Sequence, residues 1–214
     1  MARNVAKNEI FDSILASIDE ASRAYCVMTG LESLWYAPEY FLTVQISHGI
    51  TSLENCYLSL EDNVRETMYE AKANGPGKPR HGLRHNGRFD IVLWWKGGKP
   101  RAVIEVKHPL YEPTEVFKKD IIRIRDTLVT SQRNGGTFQF GCLAFWTGAD
   151  TPKRIHDSPT HRIEEKTDKL LYEAKKIAGD ACKVSIRRTI HEKDEWAWAA
   201  VLLVLESENP RIAQ

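Results

Sequence analysis

The stretch GRFDIVLWWKGGKPRAVIEVKHP, residues 87–109, predicts a β-hairpin at the centre of the fold. Its first strand, Arg88–Trp95, is almost wholly apolar and aromatic and carries one acid near its start, Asp90. Two glycines and a proline between the strands are residues that tight turns favour. The second strand, Arg101–Val106, returns as mostly apolar residues and leads into the tripeptide E-V-K, residues 105–107.

Three charged side chains are expected to converge at the open end of this hairpin. Residues i and i+2 of a strand share a face, so Glu105 and Lys107 point the same way. The start of one hairpin strand lies beside the end of the other, which places Asp90 next to Glu105. Two carboxylates repel each other unless a hard cation bridges them, and Mg²⁺ binds through carboxylates, water and phosphate oxygens. The pattern therefore predicts phosphoryl-transfer chemistry, with Lys107 orienting or deprotonating water or neutralising charge on the phosphate.

An acid opening an apolar strand, a glycine turn and E-x-K closing the partner strand together resemble the PD-(D/E)XK nuclease superfamily. Phe89 stands where the family's name has proline, at a position that commonly varies. The resemblance covers about residues 38–146 and implies an α/β fold with a restriction-endonuclease-like mixed β-sheet core flanked by helices. It implies Asp90, Glu105 and Lys107 as catalytic residues. It also implies a Mg²⁺ cofactor, replaceable by Mn²⁺, held by Asp90, Glu105 and the Val106 carbonyl.

A further acid, Glu39, opens a helix that is expected to run from Pro38 to about His48. It falls on the same face as Leu42 and Ile46, which is the stripe that should meet the sheet. The resemblance implies an additional metal ligand here, because many members of the superfamily carry such a glutamate in their first helix. The other interpretation is that Glu39 only complements the helix dipole, worth a few tenths of a kcal/mol.

Positive charge is concentrated in residues 78–107 of a chain that has 30 basic and 29 acidic residues. The only acids in that segment are the proposed ligands Asp90 and Glu105. We expect the basic residues of the loop before the hairpin to contact backbone phosphates: Lys78, Arg80, Arg84 and Arg88. A solvated surface loop is the alternative. His81 and His85 are disfavoured as metal ligands because neither a cysteine nor a helix accompanies them.

Helices and strands are expected on both sides of the hairpin. They are helices over 4–25, 60–73, 114–132 and 162–178, and strands over 138–146, 183–190 and 195–205. The resemblance implies a further small strand within 52–60 or near Leu83. Lys119 and Arg123 of the helix over 114–132 could reach a substrate, but such mixed charge more commonly marks a solvated face. The chain is thus expected to be one domain, 1–214, whose core bears an N-terminal helix and a C-terminal extension, 151–207, of a helix plus a β-hairpin.

The composition is that of an ordinary globular protein, with 214 residues of which 42% are hydrophobic. No apolar run approaches the ~20 residues of a membrane span, and the N-terminus lacks the apolar core of a secretory signal. Four scattered cysteines without a C-x-x-C pattern are typical of reduced, buried thiols. A cytoplasmic protein without a membrane partner is therefore expected.

The expected function is hydrolysis of phosphodiester bonds by a metal-dependent endonuclease. DNA is favoured over RNA because the resembled superfamily mostly cuts DNA, and a homodimer or a partner protein is expected where both strands are cut. Two alternatives stay open: a non-catalytic nucleic-acid-binding protein on the same fold, and a protein-interaction subunit or inhibitor that uses the strand of Trp196. Trp196 and Trp198 share one strand face, where they either stack on bases or, more commonly, pack in a core or dimer.

Overall fold

The computed structural model of the chain describes residues 5–30, 33–75, 80–150 and 158–208, in which helices and strands alternate. The helices are α1 (Lys7–Thr29), α2 (Glu39–Thr51), α3 (Val64–Glu70), α4 (Glu115–Asn134) and α5 (Pro159–Ala178). The strands are β1 (Tyr57–Asn63), β2 (Arg88–Trp94), β3 (Pro100–Lys107), β4 (Phe140–Asp150), β5 (Cys182–Lys193) and β6 (Trp196–Ser207).

These strands form one six-stranded mixed sheet in the order β1-β2-β3-β4-β6-β5. Neighbouring strands are antiparallel except β3 and β4, which run parallel. A parallel pair needs a crossover connection, and α4 lies in the one between β3 and β4. The end of β3 consequently lies beside the start of β2 on one side and beside β4 on the other.

Helices cover the sheet on both faces. The core around α1 and α2 includes Ala102, Ile104 and Val106 of β3, whereas the core around α4 and α5 includes Val103. Side chains alternate between the two faces of a strand, so β3 contributes to both cores. Because both faces are covered, β3 is buried along nearly its whole length, and the alternation directs Glu105 toward α4.

Most of the predicted elements are confirmed to within a few residues, including the N-terminal helix, the central hairpin and the terminal helix and hairpin. The helix predicted over 60–73 is wrong at its start, because the chain remains in β1 as far as Asn63. The Asn63 side chain accepts hydrogen bonds from the Arg65 and Glu66 N–H groups and so caps α3. β1 overlaps the range 52–60, one of the two places where the resemblance implied a small strand.

Two further expectations concern the burial of the cysteines and membrane-spanning helices. All four cysteines are free thiols: Cys56, Cys142 and Cys182 are buried as predicted, but Cys26 is only half-buried. In the ranges that the structure describes, no helix combines the length and the apolar character needed to cross a membrane.

Candidate functional site

Asp90 and Glu105 meet where β2 begins and β3 ends. Ile91 pairs with Ile104 across the antiparallel hairpin, so Asp90, directly before Ile91, lies opposite Glu105, directly after Ile104. Asp90 Oδ2 accepts a hydrogen bond of 2.7 Å from the Val106 N–H, which holds its carboxylate against the end of β3. The structure therefore brings the two acids together as the hairpin register predicts.

Glu105 is fully buried between the sheet and α4, at 0% exposure. Its Oε2 accepts a hydrogen bond from Arg123 Nη2, but its Oε1 has no partner among the described residues. Burial raises the pKa of Glu105 well above its usual range; Arg123 opposes the rise and Asp90 adds to it. A cation at Oε1 would favour the charged carboxylate, so this oxygen is suited to a metal.

Lys107 is the last residue of β3, and oxygen atoms surround its ammonium group. Nζ donates to the Val106 carbonyl at 2.7 Å and to Glu39 Oε1 at 3.2 Å, and it lies 3.5 Å from Asp120 Oδ2. Burial disfavours the charged form, but the carboxylates of Asp120, Glu39 and Asp90 outweigh burial and raise the pKa of Lys107. At neutral pH this side chain is a cation that donates hydrogen bonds, so it is better suited to binding phosphate or orienting water than to deprotonating water.

Glu39 reaches this group from the first turn of α2. Its Oε1 accepts the hydrogen bond from Lys107, and its Oε2 accepts one of 3.1 Å from the His108 N–H. Its side chain is 43% exposed, so solvent reaches the cluster from this side. Glu39 is placed to complement the α2 dipole, as one interpretation expected, but it also contacts the predicted site directly.

Two residues of α4 also belong to the cluster: Asp120 was given no role there, and Arg123 was named only as a residue that could reach a substrate. Asp120 and Arg123 are 2% and 6% exposed. Arg123 donates to the Arg88 carbonyl at 2.8 Å and to Asp120 Oδ1 at 3.3 Å, in addition to its bond to Glu105. The prediction of a solvated face is therefore wrong for Arg123, which is an internal partner of the acids, whereas Lys119 is exposed as that prediction required.

The sequence contains a pattern that indicates the burial of Asp120 and Arg123. Asp120 lies three residues after Phe117, and Arg123 lies directly before Ile124, so both adjoin the apolar stripe of α4. Helical periodicity thus placed both charges next to the buried face, where a charge requires a partner.

The donors were predicted to hold Mg²⁺, and their oxygens fit such an ion. The described residues contain no group of three or more His, Cys, Asp or Glu side chains that could by itself hold a metal. Mg²⁺ does not require one, because it is usually held by one or two carboxylates together with water and phosphate oxygens. Asp90 and the open Oε1 of Glu105 provide such a pair. The Val106 carbonyl, a further predicted ligand, accepts the bond from Lys107.

The basic loop before the hairpin divides into residues with different surroundings. Arg84 and Arg88 are exposed, which suits the predicted contact with phosphates. Arg80 instead forms an ion pair of 3.2 Å with the buried carboxylate of Asp126 on α4, so it anchors the loop to the core. Lys78 lies outside the described residues.

Comparison of the chain with protein-family models, with curated proteins and with solved structures finds no match. Function is therefore inferred from the arrangement of charged groups at the end of β3.

Proposed function

We propose that the chain is a metal-dependent nuclease that hydrolyses phosphodiester bonds in nucleic acid, with DNA favoured over RNA. The observation that carries this proposal is the grouping of Asp90, Glu105 and Lys107 at one end of the hairpin, with Glu105 Oε1 buried and unbonded among the described residues. A cation at this oxygen would supply the missing partner, and an unpaired buried oxygen costs about 1–3 kcal/mol.

The order of elements supports a restriction-endonuclease-like core. From α2 to β4 the chain passes through a helix, the antiparallel strands β1, β2 and β3, the crossover helix α4, and a strand parallel to β3, with α3 inserted after β1. The resemblance implied this hairpin, the helix after it and a returning strand.

Each side chain then has a defined role. Asp90 and Glu105 would hold Mg²⁺, which supplies a polarised water and neutralises charge on the phosphate. The Val106 N–H orients Asp90, and Arg123 holds Glu105 in place. Lys107, kept protonated by its acidic neighbours, donates to a phosphate oxygen or to the attacking water. Glu39 positions Lys107 through its hydrogen bond, and its side chain is partly exposed to solvent.

Cleavage of supercoiled plasmid and single-stranded DNA with Mg²⁺ or Mn²⁺ tests this proposal. We expect Asp90→Asn and Lys107→Ala to lower the rate by about 100-fold or more, the typical cost of removing a group that stabilises transition-state charge. Lys99→Ala is the matched control, because Lys99 is an exposed lysine at the other end of the same hairpin. Equal cleavage by wild type and both site variants would exclude this site as the source of activity.

The ion pair between Arg123 and Glu105 favours a second candidate, a non-catalytic nucleic-acid-binding protein. Here the buried acids serve as internal partners for Arg123 and Lys107. This candidate predicts DNA binding that is the same with Mg²⁺ or a chelator and that Asp90→Ala leaves unchanged. Fluorescence anisotropy of a labelled oligonucleotide measures both properties and separates the two candidates.

A further inference from the structure

Exposed aromatic side chains lie directly beside the proposed site. This aromatic patch consists of Trp35, Tyr36 and Tyr40, which are 44%, 68% and 55% exposed. Tyr40 immediately follows Glu39 at the start of α2. The turn that carries Trp35 is joined to the end of β3, since His108 Nε2 lies 2.6 Å from the Leu34 carbonyl oxygen. The aromatic patch and the charged cluster are therefore adjacent surfaces.

Trp35 is held in place by other aromatic rings. Its ring centroid lies 5.1 Å from that of Tyr111, 6.5 Å from that of Trp146 and 6.4 Å from that of Trp196. Trp146 is buried, and Trp196 packs against it at 5.9 Å. Trp196 is thus a packing residue, the commoner of its two predicted uses, and the ring it supports is Trp35. A supported ring that remains almost half exposed provides a fixed flat surface.

One lysine contacts a ring that supports Trp35, and a second lies on the segment joined to the turn of Trp35. Lys166 Nζ lies 5.1 Å from the centroid of the Tyr111 ring and donates to the Gly148 carbonyl at 2.8 Å. Lys107 lies next to His108, which contacts both the turn of Trp35 and the Trp146 ring. Flat apolar surface next to ammonium groups matches a polyanion that carries flat apolar rings, which is the chemistry of nucleic acid with unpaired bases.

We propose that the aromatic patch stacks on an unpaired nucleobase, so that the substrate is single-stranded or locally unpaired nucleic acid. This inference rests on the proposed function, because it assigns the adjacent charged cluster with Lys107 to the phosphate beside the stacked base. A protein side chain stacks on a base only when the face of that base is exposed, and in a duplex the faces are covered by neighbouring base pairs.

Binding of three labelled probes by fluorescence anisotropy, with Ca²⁺ in place of Mg²⁺, tests the proposal. The probes are an oligothymidylate strand, an abasic strand of the same length, and a duplex. We expect Trp35→Ala to weaken binding of oligothymidylate by about 5- to 100-fold, the range for loss of one stacked base, and to leave the abasic strand unchanged. Trp35→Phe should retain part of the affinity. Tyr172→Ala is the matched control, because Tyr172 is a 70% exposed aromatic on α5 and should have no effect.

Several results would overturn the stacking site. The first is that Trp35→Ala, with the circular dichroism of the wild type, binds oligothymidylate as tightly as the wild type does. The second is that Trp35→Ala loses the same affinity for the normal strand and for the abasic strand. The third is that the wild type binds no single strand. Sedimentation provides another: if Trp35→Ala converts a dimer into monomers with unchanged affinity per protomer, the aromatic patch is an interface between copies of the chain.

The cleavage assay separates this proposal from the nuclease proposal. Metal-dependent cleavage by the wild type, with binding that does not depend on Trp35, would reject the stacking site alone. Binding that depends on Trp35 and on the presence of bases, without metal-dependent cleavage, would reject the nuclease and leave the stacking site.

Discussion

α4 and α5 are helices of 20 residues each on the same face of the sheet, yet they bury different side chains. α4 buries Asp120, Arg123 and Asp126 alongside its apolar stripe. The buried side chains of α5 are apolar apart from Thr167. Both sequences have the mixed charge that is typical of a solvated helix face, so composition does not distinguish them.

The difference shows that charged groups are buried under α4, where their burial lowers stability, and not under α5. Burying a charge costs several kcal/mol, and a buried ion pair often does no more than offset that cost. The acids of α4 and β3 therefore add little to stability as a group, although each depends on its partners. Glu105, Asp120 and Arg123 form one group at the end of β3, whereas Asp126 pairs with Arg80 and Arg125. The proposed function gives the first group a chemical reason to be buried.

The largest expected effect is the loss of Arg123. Arg123→Met leaves Glu105 buried without its ion-pair partner and leaves Asp120 with Lys107 alone. Removing one partner of a buried pair costs about 3–5 kcal/mol. Urea denaturation measures this free energy of unfolding. The matched control is Arg133→Met, an exposed arginine on the same helix, for which we expect a change within about 0.5 kcal/mol. Similar values for the two variants would remove the distinction between the two sides of α4.

A smaller effect is expected from the protonation of Glu105. Because folding raises its pKa, the folded chain holds this proton more tightly than the unfolded chain does. The resulting stability is present below the ordinary value of 4.5 and is lost as the pH rises through the raised pKa of the folded state. Glu105→Gln stays neutral and should not show this loss.

Urea denaturation of both proteins between about pH 4 and pH 8 measures the difference. The wild type should lose stability relative to Glu105→Gln as the pH rises, by at most about 1.4 kcal/mol per pH unit for one proton. A difference that stays constant over this range would mean that Glu105 titrates in the folded protein as it does in the unfolded chain.

The smallest effect is expected on α5. Lys176 forms an ion pair of 3.8 Å with Glu173 within the helix, and the Lys176 side chain is 68% exposed. Lys176→Ala should cost less than about 0.5 kcal/mol, because water and salt screen a pair whose lysine is exposed, although Glu173 is half-buried. Denaturation at low and high salt checks both statements. A loss greater than about 1 kcal/mol would mean that the charges of α5 are not simply solvated.

The predictable part of the site is the part that depends on local pairing. Asp90, Glu105 and Lys107 lie on the two strands of one hairpin, and the period of a strand fixes which residues share a face. Their grouping follows from a short stretch of sequence. Helical spacing placed Glu39 on the stripe that should meet the sheet, but only the resemblance assigned it to the site, because its contact with Lys107 joins residues that are far apart in the chain.

The burial of Arg123 and the ion pair of Arg80 with Asp126 were not predicted, for a related reason. Both are basic residues in polar surroundings, and such residues are usually solvated. Their ion pairs with Glu105 and Asp126 cross between separate elements, so they depend on how α4 docks on the sheet. The boundary of α3 had a local cause, the Asn63 cap, that the helical pattern of residues 60–73 concealed.

By itself the sequence determined the α/β elements, the central hairpin and the pair of acids with a lysine at its end, because hydrophobic period and turn chemistry act over a few residues. The tertiary structure alone decided that Asp120 and Arg123 are buried beside Glu105 and that Trp35 rests on Trp146 and Trp196. These contacts join distant segments. Their geometry is set by the packing of helices on the sheet, where the cost of burying charges and the gain from burying rings select partners that local pattern does not specify.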